Sequence, residues 1–194
     1  MAKILGIDGS HRPGSNSRAL LEAALKAARD KGCEYGIISL YDKKIEPCKE
    51  CSAGCGERCI ISDDATIILR KIAESDAVII ASPVFFGSVS GLLKNLFDRS
   101  LYHRRKGFQF KDRVCGAITC GGSRNGGQDL VLHQIISWAL IHDMVVVGDG
   151  EPTAHFGGVG VSRNQGEAAR DEAGIKTAQG LGKRVAEITL KLRK

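Results

Sequence analysis

Two rhythms alternate along the chain. Short, nearly unbroken apolar runs stand at 3–8, 34–41, 76–82, 111–120 and 144–150, each stopped by glycine or by polar residues. Between them apolar residues return every three or four positions. Leu20, Leu21, Ala24, Leu25 and Ala28 do so within 16–31, and Leu130, Leu132, Ile135, Ile136 and Leu140 within 127–142. Ile175, Ala178, Leu181, Val185 and Ile188 repeat the spacing in the segment that starts near 167. The first rhythm is that of a strand covered on both sides, the second that of a helix with one apolar face. Two further helices are predicted. One is capped by Ser62, with Asp63 and Asp64 in a first turn whose dipole favours negative charge, and the other spans 89–102. Five strands alternating with five helices predict an α/β domain over 1–194, an open parallel sheet wrapped on both faces by helices. No repeat or linker divides it.

In such a sheet ligands bind outside the carboxyl ends of the strands, so the loops after the strands hold the candidate chemistry. Gly9-Ser-His-Arg-Pro-Gly-Ser-Asn-Ser17 sets hydroxyls, glycines and Arg12 ahead of a helix N-terminus, an arrangement that suits a phosphate and also suits an ordinary capped turn. It is neither a G-x-G-x-x-G nor a Walker A loop. Ala81-Ser-Pro-Val-Phe-Phe-Gly-Ser-Val-Ser90 places two aromatics at a strand end, where they could line a flat ring or fill the core. Cys120-Gly-Gly-Ser-Arg-Asn-Gly-Gly-Gln128 holds four glycines, which let backbone approach a ligand closely or simply make a flexible turn. Three such loops on one rim favour a binding site more than any one of them does.

Four of the seven cysteines are packed into Cys48-Lys-Glu-Cys51-Ser-Ala-Gly-Cys55-Gly-Glu-Arg-Cys59, inside the segment 47–62. A disulfide staple, a zinc site and an iron–sulfur cluster all use such a run. A chain of 194 residues can bury enough core to need no staple. The opening residues show neither a secretory signal nor a membrane span, so a cytoplasmic location is expected, where disulfides are rare. Zinc sites join two short cysteine pairs across a longer spacer, whereas compact C-x2-C runs with a further cysteine nearby are the habit of iron–sulfur proteins. Cys33, Cys115 and Cys120 lie in or beside apolar runs and read as small buried hydrophobes. The net charge of +6 is mostly scattered among acids and reads as a solvated surface, with no nucleic-acid partner expected. Lys43, Lys44, Lys49 and Arg58 would offset a negative cluster and could attract an acidic carrier protein. The five histidines show no spacing that demands a general acid or base, so no catalytic side chain is assigned.

The segments GSHRPGSNS (9–17), ASPVFFGSVSGLLKNLFDR (81–99) and CGGSRNGGQ (120–128) together resemble the flavodoxin-like NAD(P)H-dependent FMN reductases. PCKECSAGCGERCIISDDA (47–65) is similar to the iron–sulfur flavoprotein branch of that group. The resemblance implies a flavodoxin-like, five-stranded parallel sheet in the order 2-1-3-4-5 that binds FMN. Ser10, Arg12, Ser15, Asn16 and Ser17 would hold the phosphate. Pro83, Val84, Phe85, Phe86, Gly87 and Ser88 would face the isoalloxazine, with Gly121, Gly122, Ser123, Arg124 and Gly127 closing the other side. Relatives often place a tyrosine near Phe85, so a hydroxyl contact there is missing. Cys48, Cys51, Cys55 and Cys59 would hold a [4Fe-4S] cluster. Of these, Cys55 is displaced by one from the family's usual C-x2-C-x2-C start, a shift that Gly54 and Gly56 could absorb.

The implied activity is electron transfer from a ferredoxin-like carrier through cluster and FMN to a small acceptor such as oxygen, peroxide or a quinone. The alternative is an NAD(P)H-dependent FMN or quinone reductase whose cysteines bind zinc or no metal. A non-enzymatic metal or nucleic-acid binding module is a third reading. A homodimer or homotetramer, with no membrane association, is expected, and Gly150–Gly160 is a candidate contact loop.

Overall fold

The computed structural model describes residues 1–51, 55 and 59–193, so Gly54, Gly56 and Arg58 lie outside the described residues. In chain order the elements are β1 (Ala2–Asp8), α1 (Asn16–Arg29), β2 (Cys33–Ser39), α2 (Asp64–Ala73), β3 (Ala77–Pro83), α3 (Gly91–Arg99), α4 (Leu101–Arg105), β4 (Val114–Gly121), α5 (Gln128–Ile141), β5 (Val145–Val147), β6 (Gly158–Val161) and α6 (Glu172–Leu192). A 3-10 turn at Glu167–Arg170 precedes α6. All strand pairs are parallel and the order is β2-β1-β3-β4-β5, the flavodoxin-like arrangement.

Alternate strand residues feed two cores. Leu5, Ile7, Val78, Ile80, Cys115 and Ala117 meet α2, α3 and α5 on one face. Ile4, Ala77, Ile79, Val114, Ile118 and Cys120 meet α1 and α6 on the other. Both faces are therefore apolar, which is why the strands read as unbroken runs. Helices α1 and α6 touch backbone to backbone: a Cβ on Gly182 would lie 1.9 Å from the Ala24 carbonyl oxygen, so no larger residue fits there.

Three expectations need correction. The sheet has six strands rather than five, because the fifth position is shared by two short ones. β5 pairs with Val114–Gly116 and β6 with Ile118–Gly121 of the same strand, and residues 148–157 bulge out between them. Asp149, buried in that bulge, accepts hydrogen bonds from Thr153 Oγ1 and the His155 N–H, which satisfies backbone that a continuous strand would have paired. The last residues of Gly150–Gly160 thus belong to the sheet, with Gly158 and Gly160 buried, and leave only the bulge for any contact. The helix expected over 89–102 breaks at Ser100, whose hydroxyl is held between the Phe97 carbonyl, Trp138 Nε1 at 2.9 Å and His142 Nε2 at 2.7 Å. The cap of α2 is Asp63 rather than Ser62.

Candidate functional site

The loops after β1, β3 and β4 meet at the carboxyl edge, around the point where the strand order reverses between β1 and β3. The loop after β1 is organised by Asp8, a buried carboxylate the sequence pattern had placed only as the end of a strand. Its Oδ1 accepts from the Ser10 N–H at 3.2 Å, Ser15 Oγ at 3.2 Å and Ser17 Oγ at 3.3 Å, and its Oδ2 from Ser39 Oγ at 2.9 Å. Ser15 also caps α1, accepting from the Arg18 N–H at 3.1 Å. The protons of Ser15 and Ser17 are thus held within the Asp8 network. What the loop leaves unused is the buried Ser10 hydroxyl, the exposed Arg12 and the N–H groups of Gly14, Ser15, Asn16 and Ser17, which meet no acceptor among the described residues. Donors crowded at the positive end of a 14-residue helix suit an anion. Asn16 does a different job from the one expected. Its amide donates to the Asn164 carbonyl at 2.9 Å and accepts from the N–H groups of Gly166 and Ala168, tying α1 to the segment ahead of α6.

The 83–88 segment makes a tight reversal in which Phe85 and Ser88 exchange both backbone hydrogen bonds at 2.9 Å. Phe86 and Gly87 occupy its tip with φ of 49° and 73°, a conformation that costs phenylalanine energy and glycine none. Phe86 is fully exposed and Phe85 nearly half, so neither fills the core. Gln134 on α5 staples the turn, accepting from Ser88 Oγ at 3.0 Å and the Val89 N–H at 3.1 Å. No short-range pattern marks this glutamine, because its partners lie 46 and 45 residues away. Val84 N–H donates to the Cys120 carbonyl, and a Cβ on Gly127 would sit 3.0 Å from Gly87 Cα, so the second and third loops are in contact. Gly127 itself has φ of 98°. Gln128 closes the third loop by donating to the Ser123 carbonyl at 2.6 Å and accepting from the Gly126 N–H at 2.8 Å. Pro83 and Val84 are partly covered, and Gly122, Ser123 and Arg124 are exposed. Arg124 lines a neighbouring cavity with Glu167 and Arg170. The structure therefore brings the three predicted loops to one rim but spreads their individual residues over its surface, its staples and a second hollow.

Cys48, Cys51, Cys55 and Cys59 border a single small cavity together with Arg99 and Tyr102. All four are half-buried, whereas Cys33, Cys115 and Cys120 are buried as expected. Burial pushes the Cys115 thiol up to about 12 and the Cys120 thiol up to about 11, so both remain protonated. Among the described residues no three Cys, His, Asp or Glu side chains converge closely enough to hold one metal ion. Two guanidinium groups point at the cavity's sulfurs. Arg99 Nη2 donates to Cys59 Sγ at 3.5 Å, and Arg105 Nη1 to Cys55 Sγ at 3.8 Å. Arg99 is only 3% exposed. Its Nη1 donates to Asp63 Oδ2 at 2.7 Å and the Glu46 carbonyl at 3.1 Å, and its Nη2 to the Ile61 carbonyl at 3.0 Å. Asp63 in turn accepts from the Glu46 N–H at 2.9 Å. One buried ion pair thus fastens both ends of the cysteine segment. Burial works against the charge on Arg99, but Asp63 and then Cys59 outweigh it and hold the guanidinium above its usual range. Burial likewise opposes the Asp63 charge, and Arg99 overcomes it, holding the carboxyl below its usual range. The donor set fits an anionic iron–sulfur group, since its sulfur ligands face one hollow and positive charge stands directly against them.

Both regions meet a cavity of about 990 Å³ between α3, α4 and α5, lined by Gly87 and Ser88 from the turn and by Cys48 and Glu50 from the cysteine segment. Its floor includes Trp138, stacked on Phe97 with ring centroids 4.6 Å apart. Helix α3 joins the two regions end to end. At its start Ser90 donates to the Gly9 carbonyl and accepts from the Leu93 N–H, and at its end stands Arg99. Its nine residues span ~13 Å at 1.5 Å per residue. No described helix is long and apolar enough to cross a membrane.

The family model described as NADPH-dependent FMN reductase matches residues 2–158. The chain is 47% identical to an iron-sulfur flavoprotein of Methanocaldococcus jannaschii over 194 residues, covering 99% of this chain and 100% of that one. It is 39% identical to an iron-sulfur flavoprotein of Methanosarcina thermophila over 188 residues, covering 96% and 94%. Among solved structures, RosB with a bound 8-demethyl-8-formylriboflavin-5'-phosphate intermediate superposes with a TM-score of 0.81 at 18% identity, over 100% of this chain and 81% of RosB, a likeness of fold. The chain belongs to the NADPH-dependent FMN reductase family and, within it, to the branch of the iron–sulfur flavoproteins.

Proposed function

We propose that the protein accepts electrons from a ferredoxin-like carrier and delivers them to a small acceptor such as oxygen, peroxide or a quinone, with FMN on the strand-end rim and a [4Fe-4S] cluster on Cys48, Cys51, Cys55 and Cys59. Membership of the family makes it a flavin-dependent oxidoreductase, and the finer reading rests above all on the cavity shared by the turn at 87–88 and the cysteine segment at 48–50. The Ser10 hydroxyl, Arg12 and the N–H groups of Gly14 to Ser17 would hold the phosphate, while Ser15 and Ser17 keep their protons on Asp8 and fix the loop. Phe85, Phe86 and Gly87 would lie against the isoalloxazine, with Gly121, Gly122 and Gly127 opposite. When bound, FMN supplies two-electron chemistry and the cluster one-electron chemistry. A second copy in a homodimer or homotetramer would cover the exposed Phe86, and the compartment would be the cytoplasm.

Iron, acid-labile sulfide and FMN measured on anaerobically purified protein test this reading. Near-stoichiometric FMN with about four irons and four sulfides per chain is expected, and FMN without iron would overturn the cluster. An NAD(P)H-dependent reductase with zinc or no metal is the second reading, favoured by the exposed apolar tip at Phe85 and Phe86, on which a nicotinamide could stack. Bleaching of the flavin by NAD(P)H under anaerobic conditions supports it, and an unchanged flavin spectrum counts against it.

A further inference from the structure

We infer that Arg99 is a positioning residue for the inorganic centre, setting both how firmly Cys59 holds it and how readily it takes an electron. The inference rests on the cluster reading above. An arginine on the buried side of α3, in register with Leu92 and Leu96, is costly unless its donors are used, and here only Nε meets no acceptor among the described residues. Four of its contacts are accounted for, and three of them, to Asp63, Glu46 and Ile61, already make a closed structural clamp. The fourth, to Cys59 Sγ, adds nothing to that clamp, because Ile61 two residues on is already fixed. What it adds is a buried positive charge against a sulfur ligand.

Such a contact does two things. A donor on a ligating thiolate holds the sulfur in place and disfavours its protonation on release. A fixed positive charge in a low-dielectric setting also favours the more negative, reduced form of a cluster. Arg105 makes a similar contact with Cys55, but from an exposed position where water and salt screen it. The two arginines therefore form an internal contrast of buried against exposed.

The test uses anaerobically purified full-length protein as wild type, Arg99→Lys, Arg99→Gln, Arg105→Gln and Leu181→Ala. Leu181→Ala is a variant in the core on the opposite face of the sheet, which lowers stability away from the cysteine segment. The measurements are the rate of iron release to a chelator and the midpoint potential of the iron–sulfur signal. Arg99→Lys keeps the charge but lacks the fork, so iron release should quicken about tenfold while the potential moves little. Arg99→Gln should quicken release at least as much and shift the potential to a more negative value. Arg105→Gln should change both far less. Where Arg99→Gln fails to fold, the Lys variant still reads the release rate. Unchanged release and potential in both Arg99 variants overturn the inference, as does an equal effect from Leu181→Ala, which would make the role one of stability alone. Wild-type protein that holds FMN but no iron after reconstitution overturns instead the cluster reading beneath it.

Discussion

The strand-end rim and the cysteine segment are neighbours built on opposite plans. The rim is an outgrowth of regular structure: its three loops leave buried strands, are pinned by Asp8, Gln134 and Gln128, and enter long helices directly. It is shaped before anything binds. The described residues between β2 and α2 have no helix or strand, and their two ends are joined by the buried Arg99–Asp63 pair and by a few hydrogen bonds between 44–46 and 63–64. The first region is held by the core along its whole length, the second at its two ends, by the ion pair and its neighbouring hydrogen bonds. Prefolded backbone suits a large organic cofactor that must enter and be oriented, whereas a segment of thiols takes its final shape with its metal.

If that contrast is right, the two regions should fail separately. The largest effect is expected from Cys51→Ala, which should abolish nearly all bound iron while FMN affinity stays within about twofold, since neighbouring sites with no shared contacts lose binding independently. Parallel loss of flavin in a metal and flavin titration would break the contrast. Next, Asp63→Ala leaves Arg99 charged, buried and unpaired, and should cost ~3–5 kcal/mol in urea unfolding. The same change at the exposed Lys94–Asp98 pair should cost under ~1 kcal/mol. Acid should then act through His142. It lies at the foot of the shared cavity, and burial, helped by Arg104 and His103, depresses its pKa to about 4. Because the folded value lies below the unfolded one, the unfolded chain takes up the extra proton between about pH 6.5 and pH 4. Stability is therefore complete above that window and falls by roughly 3 kcal/mol on descending through it. Urea midpoints for wild type and His142→Asn should converge as the pH falls. The smallest effect belongs to Gly127→Ala. Its φ of 98° and its contact with Gly87 predict about tenfold weaker FMN binding with iron content untouched.

What could be read from the sequence follows the same division. Strands β1 to β4 are unbroken apolar runs and helices α1 and α6 carry the helical period, and the glycine- and serine-rich loops sit where strand ends put them. These features are local and carry local signals. Helix α5 was legible as a helix but not in its facing, since Leu130 and Leu140 of the expected apolar face are exposed and Val131, Trp138 and Ala139 are buried instead. The split of the fifth strand was hidden because Val145–Val147 and Gly158–Val161 are each too short to show a period, and only their common partner β4 unites them. Asp8 read as a strand terminus, since its partners Ser15, Ser17 and Ser39 are gathered by the fold. Arg99 was legible in part. It falls on the apolar stripe of α3, where a charge is unusual, but Asp63 and Glu46 lie 36 and 53 residues away, beyond any spacing rule. Asn16 has the right residue type for a phosphate loop, yet the amide is committed to Asn164, Gly166 and Ala168.

Helix α3 carries a further consequence. Ser90 is tethered at one end and Arg99 at the other, so the interval between rim and cysteines is counted in helical residues and cannot drift continuously. One inserted residue would lengthen it by only ~1.5 Å, yet would swing the guanidinium ~100° around the axis and off its target. Lengthening by about a full turn, three or four residues, would restore the bearing but move the arginine ~5 Å along. Tunnelling distance between two redox groups placed at these ends is thereby a digital quantity in this scaffold, protected against small insertions by angle rather than by length.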